Sequence, residues 1–376
     1  MKHPLLASLF ICGLFALAAI GQTSAEEFLN RGIERSKAGN TAGAIADYTK
    51  AIELDPALAK AYVNRADLRC ASSDWDGAIA DASKALEIDG GLYEAYTRRA
   101  TAYNSKGDFD RTISDATKAI EIDPSRSDGF RIRGYAYLRK YAYKDALPDY
   151  NRCIELGLTT AQTYMNRSVA HEGLSDFASA IVDETKALEI DPKFTKAYYN
   201  RAISRRSYGD YVGAVEDYNK TLELEPANNL PILGKAWSRL FMNDAAGAAQ
   251  DAEEFIAKNG PLGEGSFAIA IKYIALRKLA KTAIARSFLK DSLKQQKQGE
   301  WQTDLLRFLA GEITSAQLLE KADGVQQQTD AHSFIGVVAA LDDNKKDAAA
   351  NFQWCKDHGN RDRIAYQLAR VEFARF

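Results

Sequence analysis

Residues 59–92 read AKAYVNRADLRCASSDWDGAIADASKALEIDGGL, and residues 93–126 read YEAYTRRATAYNSKGDFDRTISDATKAIEIDPSR. Laid one over the other, the two lines share an aromatic (Tyr62, Tyr96), an arginine (Arg65, Arg99), an aspartate (Asp81, Asp115) and an alanine (Ala85, Ala119) at an interval of 34. The interval continues in both directions. Aspartates recur at Asp47, Asp81, Asp115, Asp149, Asp183, Asp217 and Asp251, and a basic column keeps step with them: Arg31, Arg65, Arg99, Arg133, Arg167, Arg201 and Lys235. Self-similarity at a fixed period of this length marks a stack of like supersecondary units. It moves the question of function from catalysis to binding.

The units start near residues 25, 59, 93, 127, 161, 195 and 229, and each reads as two helices. Small residues recur in the first helix (Gly32, Ala66, Ala100, Gly134, Ser168, Ala202, Ala236) and in the second (Ala44, Ala78, Thr112, Ala146, Ala180, Ala214, Ala248). They let two helix axes approach, while Phe28, Tyr62, Tyr96, Phe130, Tyr164 and Tyr198 fill the space around them. Gly39, Gly107 and Gly209 stand where the first helix must end in a left-handed residue. Asp74, Asp108, Asp176 and Asp210 are placed to cap the second helix. Pro56, Pro124, Pro192 and Pro226 close it, because proline cannot continue a helix. Arg31 and Asp47 are equidistant from the turn at Gly39, so an antiparallel hairpin brings them level and predicts an ion pair in each unit.

These columns resemble the tetratricopeptide repeat (TPR), over about residues 26–262. Ala180, Ala187 and Pro192 with Tyr164 make one good match, while the arginine column replaces the leucine the family often has there. The resemblance implies an all-α fold, an α-solenoid in which helix hairpins form a right-handed superhelix. It implies a non-catalytic scaffold that binds a peptide or helix in a concave groove lined by the first helices. Those lining positions are Thr97, Arg98 and Thr101; Arg131, Tyr135 and Leu138; Met165, Asn166 and Val169; Tyr199, Asn200 and Ile203; and Leu233, Trp237 and Leu240. The strip runs from polar and basic to apolar. The alternative to a groove open to partners is cover by the chain's own C-terminal region. The family's carboxylate clamp is not expected, since Asn64 and Arg98 hold two of its places but Leu29, Ile33 and Glu94 hold the others.

After Pro261 the register is lost. Helices are expected over 266–279, 282–294, 301–310 and 315–322, then one further TPR-like unit near 329–362 carrying Gly336, Ala348, Phe352 and Cys355, and a capping helix over 362–376. Atypical ends close the apolar faces of such stacks. The run from Trp301 to Gly311 followed by this unit is similar to the C-terminal part of bacterial envelope TPR lipoproteins that act as adaptors, although the lipid-attachment cysteine is missing.

At the other end, Lys2 and His3 precede an apolar run from Leu5 to Ile20 and then Gly21-Gln22-Thr23-Ser24-Ala25, the order of a secretory signal peptide over residues 1–25. An exported protein, periplasmic or secreted, with no membrane span after cleavage is expected. Without the leader the net charge is near −3, which offers no basic excess for nucleic acid. Cys70, Cys153 and Cys355 form no CxxC pair and no disulfide framework. His332, Cys355 and His358 share one C-terminal unit, but Cys355 falls on the small core column of Cys153, so packing is the expected role. There is no HExxH, GxSxG or phosphate-binding glycine loop, so neither an enzyme nor a cofactor is expected. A self-assembling structural subunit, a homo-oligomer, is the alternative to a partner-binding adaptor, and an enzyme of unknown type in residues 263–376 is a further one.

Overall fold

The structure is a computed structural model that describes residues 24–361 and 363–375, and among them it has twenty-one α-helices and no strand. It divides into two compact units, one ending at Thr159 and one starting at Thr160. Of the expected leader, only Ser24 and Ala25 lie among the described residues. Ser24 caps the first helix, with its hydroxyl accepting from the Glu27 amide while the Glu27 carboxylate accepts from the Ser24 amide, and Ala25 already belongs to that helix.

The first unit is four helix hairpins: α1 (Ala25–Lys37) with α2 (Thr41–Leu54), α3 (Ala59–Ala71) with α4 (Trp75–Ile88), α5 (Tyr93–Ser105) with α6 (Phe109–Ile122), and α7 (Ser127–Arg139) with α8 (Tyr143–Glu155). Each hairpin turns through a residue at positive φ. Gly39 and Gly107 take it at +77° and +79°, as the turn chemistry requires, while Ser73 and Tyr141 are forced into it at +60° and +58°. Asn40, Asp74 and Asp108 cap the second helices, but Ala142 leaves α8 without a side-chain cap. Facing columns are complementary in size. A methyl on Gly32 would come within 2.5 Å of the Tyr48 ring, so glycine stands under tyrosine, whereas Ala66 and Ala100 face Ala82 and Ala116.

The second unit continues with α9 (Ala161–Gly173) and α10 (Phe177–Ile190), α11 (Thr195–Tyr208) and α12 (Tyr211–Leu224), and α13 (Leu230–Phe241) and α14 (Ala245–Asn259). Beyond the repeat come α15 (Glu264–Lys278), α16 (Thr282–Leu293), α17 (Trp301–Leu309) and α18 (Ser315–Lys321). A last hairpin of α19 (Gly324–Leu341) and α20 (Lys345–His358) precedes α21 (Ile364–Phe373). These helices are not set apart from the array. Residues of α13 and α14 join those of α15 to α21 in one continuous core, with Ile269, Ile271, Ile274, Leu289 and Phe334 fully buried. Helices α15 to α21 thus bury the apolar surface of the α13–α14 hairpin, and the second unit joins three repeat hairpins to the C-terminal helices.

Candidate functional site

The charged columns form a ladder inside the hairpins. The Asp115 carboxylate accepts from Arg99 Nε at 2.7 Å and Nη2 at 2.8 Å, and the same two-bond fork joins Arg31 to Asp47, Arg65 to Asp81, Arg133 to Asp149, Arg167 to Asp183 and Arg201 to Asp217. The free Nη1 of Arg65, Arg99, Arg133 and Arg201 donates to a hydroxyl on the second helix of the preceding hairpin: Thr49, Ser83, Thr117 and Thr185. One guanidinium thus fixes a hairpin and its stacking on the one before. Lys235 reaches Asp251 through one contact at 3.2 Å. The hydrogen bond from Arg31 holds the Asp47 carboxyl below its usual range, whereas burial wins at Asp149 and Asp251 and raises them. This ladder is structural, and its Arg167–Asp183 rung borders an open surface hollow beside Tyr164 and Thr185.

A second arginine joins it in four hairpins. Arg35, Arg69, Arg205 and Arg239 each pair with the hairpin's aspartate and donate to the carbonyl of Gly43, Gly77, Gly213 and Gly247. A side chain at Gly77 would meet both the Asp74 carboxylate and Arg69 Cδ, at 2.2 and 2.9 Å, so glycine and arginine occur together. In the other three hairpins both are absent: Tyr103 with Arg111, Tyr137 with Asp145, His171 with Ser179. Arg111 there lies over the Tyr103 ring at 4.4 Å.

The expected groove residues divide by burial. In the first unit Thr97 and Leu138 are buried; Arg98 pairs with Asp67 at 2.6 Å and Arg131 with Asp128 at 3.2 Å. The Thr101 hydroxyl donates to the Thr97 carbonyl, and Tyr135 is half-buried. In the second unit Met165, Leu233, Trp237 and Leu240 are interior residues. The apolar end read from the sequence is therefore not a free strip; the chain covers much of it. The Gln367 amide of α21 donates to Ser207 Oγ at 3.1 Å, Arg370 donates to the Ser207 carbonyl at 3.4 Å, and Arg375 donates to the Phe241 carbonyl at 2.7 Å. The physical reason is the usual one: a large exposed apolar stripe is buried if anything can reach it. Asn166, Val169, Tyr199, Asn200 and Ile203 remain half-accessible.

Where α11, α13, α15 and the start of α21 meet, a cavity of about 360 Å³ stays open. Tyr199, Ile203, Leu233, Trp237 and Phe267 supply apolar and aromatic walls, with Leu230 exposed at the lip. Burial raises the Tyr199 and Tyr218 phenols, the latter to about 12, so both stay neutral. Arg206 enters the cavity and donates from Nη1 to the Tyr218 hydroxyl at 3.2 Å. Sequence reasoning passed over Arg206 although it stands in the column that supplied Leu138 and Leu240; reading that column through (Asn104, Leu138, Glu172, Arg206, Leu240) would have found it. Glu264, Phe267 and Ile364 carry no periodic signal and could not have been found.

The same column supplies the half-buried Glu172, which lies beside the buried Glu184 of α10. Ser204 Oγ lies 3.2 Å from an oxygen of each. Burial raises both carboxyls, and the fully buried Glu184, close to Glu172, is pushed far above its usual range. Elsewhere Cys355 is buried beside Ser333 Oγ at 3.4 Å with its thiol pushed up to about 11, and His332 stacks on Trp354 at 4.0 Å. No group of three His, Cys, Asp or Glu that could hold a metal ion occurs among the described residues, and no helix there is long and apolar enough to cross a membrane.

Two family models, both described as tetratricopeptide repeat, match residues 29–92 and 93–126. Over those residues the chain is similar to tetratricopeptide repeats, a fold that typically serves as a non-catalytic scaffold for protein–protein interaction. Among solved structures, YrrB, described as a TPR protein with an unusual peptide-binding site, is 24% identical with a TM-score of 0.45, over 49% of this chain and 95% of that one. A tetratricopeptide repeat protein from Parabacteroides merdae is 14% identical with a TM-score of 0.48, over 68% and 100%. MamA from Desulfovibrio magneticus is 21% identical with a TM-score of 0.43, over 45% and 96%. No curated protein matches the chain.

Proposed function

We propose that the protein is an exported, non-catalytic adaptor of a bacterial cell envelope that holds a peptide segment of a partner protein on the first-helix face of its second unit. The observation that carries this reading is the open cavity bounded by Tyr199, Ile203 and Trp237, which combines apolar and aromatic walls with the charged Arg206, Glu264 and Arg363 and is built largely on repeat helices. Pockets of roughly 300–1,000 Å³ with a few polar groups are the usual small-ligand and side-chain sites. Export rests on the order of residues 1–25, and the envelope role on the likeness of the C-terminal helices to envelope adaptors. A self-assembling subunit is the second reading, since Leu230 and Tyr208 are large, exposed and close in sequence to this face.

Peptide display against the full mature chain tests the site. Selected peptides are expected to bind about tenfold or more weakly once Tyr199 and Ile203 are both replaced by Glu, with helicity unchanged by circular dichroism. Equal affinity for that variant would move the site elsewhere. Light scattering on the purified chain separates the readings: a monomer supports the adaptor, and a concentration-dependent oligomer abolished by Leu230→Glu supports self-assembly.

A further inference from the structure

Arg206 stands apart from the other arginines of the hairpins' first helices. Arg31, Arg35, Arg65, Arg69, Arg98, Arg99, Arg131, Arg133, Arg167, Arg201, Arg205 and Arg239 all sit within ion-pair distance of a carboxylate. Arg139 has none but is exposed and lies over the Phe109 ring. Arg206 is half-buried, has a phenol as its hydrogen-bond partner and a buried Nε with no acceptor, and no carboxylate of the described residues pairs with it. A guanidinium taken partly out of water normally gains a charged partner. The other arginine at this cavity has one: Arg363 makes a fork with Asp330, at 3.1 and 2.5 Å, and that buried carboxylate also accepts from Trp301 Nε1. Glu264, the acidic residue at the lip, is exposed to solvent.

We propose that Arg206 anchors an acidic side chain of a bound segment whose neighbouring large apolar residue fills the cavity between Tyr199, Ile203 and Trp237. The recognised unit is an internal acidic residue beside an aromatic or large aliphatic one. Charge complementarity assigns the acid, and the wall chemistry assigns its neighbour. At about 360 Å³ the cavity has room for one such side chain and the backbone that carries it. The segment is internal rather than a chain end because accessible first-helix positions continue away from the cavity, at Asn200 on α11 and at Asn166 and Val169 on α9. This inference rests on the proposed peptide-binding face and adds the chemistry of its ligand.

The probe is acetyl-Ala-Phe-Asp-Ala-amide with para-fluorophenylalanine, titrated into the full chain and followed by fluorine NMR. Its Asn and Lys counterparts and a free-acid peptide ending in Phe are run beside it. The Asp peptide is expected to bind about tenfold more tightly than the Asn peptide, the scale of one charge-assisted hydrogen bond. Arg206→Gln should erase that preference, and Arg206→Lys should restore part of it. Tyr199→Ala should weaken the Asp and Asn peptides alike. Equal binding of the two to the unaltered chain, or a preference that survives Arg206→Gln, overturns the assignment of the acid while leaving the face in place. Preference for the free-acid peptide overturns the internal segment, and preference for the Lys peptide shows that Glu264 governs instead. Binding of no peptide, or binding indifferent to Tyr199→Ala, overturns the face itself and this inference with it.

Discussion

The hairpin of α19 and α20 and the seven repeat hairpins share a geometry but not a fastening. In the last hairpin Asp343 turns at positive φ, Asn344 caps the second helix, and Gly336 lies under Phe352, with a methyl there only 2.5 Å from the ring. The repeat hairpin of α1 and α2 does the same with Gly39, Asn40, Gly32 and Tyr48. At the positions of Arg31 and Asp47, however, the last hairpin has Ile335 and Asn351. Ile335 is buried, and the Asn351 side chain faces His332 Nδ1 at 2.7 Å. The turn and the glycine–aromatic contact therefore suffice for a hairpin. The Arg–Asp fork, which also reaches the preceding hairpin, belongs to regular stacking. It is missing where a hairpin comes after irregular helices and packs through an apolar core instead.

The comparison breaks most sharply at the ladder. Asp115→Ala leaves the Arg99 guanidinium with the Ser83 hydroxyl as its remaining hydrogen-bond partner and should cost about 3 kcal/mol. Asn351→Ala should cost about 1 kcal/mol, the scale of one ordinary hydrogen bond. Urea denaturation gives the totals. Hydrogen exchange should show the loss at Asp115 spreading into the hairpin of α3 and α4, because hairpins of a stack depend on their neighbours. Similar costs at the two sites, or a loss confined to α5 and α6, would mean the fork does not govern stacking.

The hairpin of α9 and α10 sharpens the same contrast. Glu184 occupies the place of Tyr48, Tyr150, Tyr218 and Phe352, so a buried carboxyl with a raised pKa stands where others have a ring. Glu172 and Ser204 face this carboxyl most closely, with Arg201 as the nearby cation. The folded chain holds a proton that the unfolded chain releases near the ordinary glutamate range. Stability is then highest at low pH on this account, and falls as pH rises from that range toward the raised folded value. Against Glu184→Gln, which needs no proton, the unaltered chain should lose ground by up to about 1.4 kcal/mol per pH unit over that window. Thermal melts at several pH values check this, and parallel curves for the two proteins would show that Glu184 carries no proton into the fold.

Legibility in the sequence depends on distance along the chain. Arg31 and Asp47 are 16 residues apart across one turn, so periodicity and antiparallel geometry are enough to place them together. The turn residues and caps are legible for the same reason. The C-terminal cover is not, because Gln367, Arg370 and Arg375 lie more than a hundred residues on from Ser207 and Phe241, in a region without a period, and nothing in either stretch names the other. Glu184 is not legible for another reason: a carboxylate in a helical repeat is normally solvated, and here a second carboxyl and a serine make burial tolerable. Arg206 is within reach and shows that a groove must be read down whole columns, including the positions that change character.

The smallest expected effect lies at the turn that all these hairpins share. Seven of them pass through one left-handed position, held by Gly39, Ser73, Gly107, Tyr141, Ser175, Gly209 and Asn243, and Asp343 repeats it in the last. A branched or bulky side chain at such a φ costs about 1–2 kcal/mol relative to glycine, partly offset by the entropy that glycine adds to the unfolded chain. Tyr141 is the least suited of the set. It is 78% exposed, and its ring meets Tyr143 edge-on at 6.2 Å. Tyr141→Gly should therefore stabilise the hairpin of α7 and α8 by about 0.5–1 kcal/mol. Asp343→Gly should give less, since aspartate tolerates the left-handed region better than tyrosine. Denaturant midpoints for the two variants measure the difference. A destabilised Tyr141→Gly chain would show that the Tyr141–Tyr143 contact outweighs the backbone cost, and that the position is kept for its side chain rather than in spite of it.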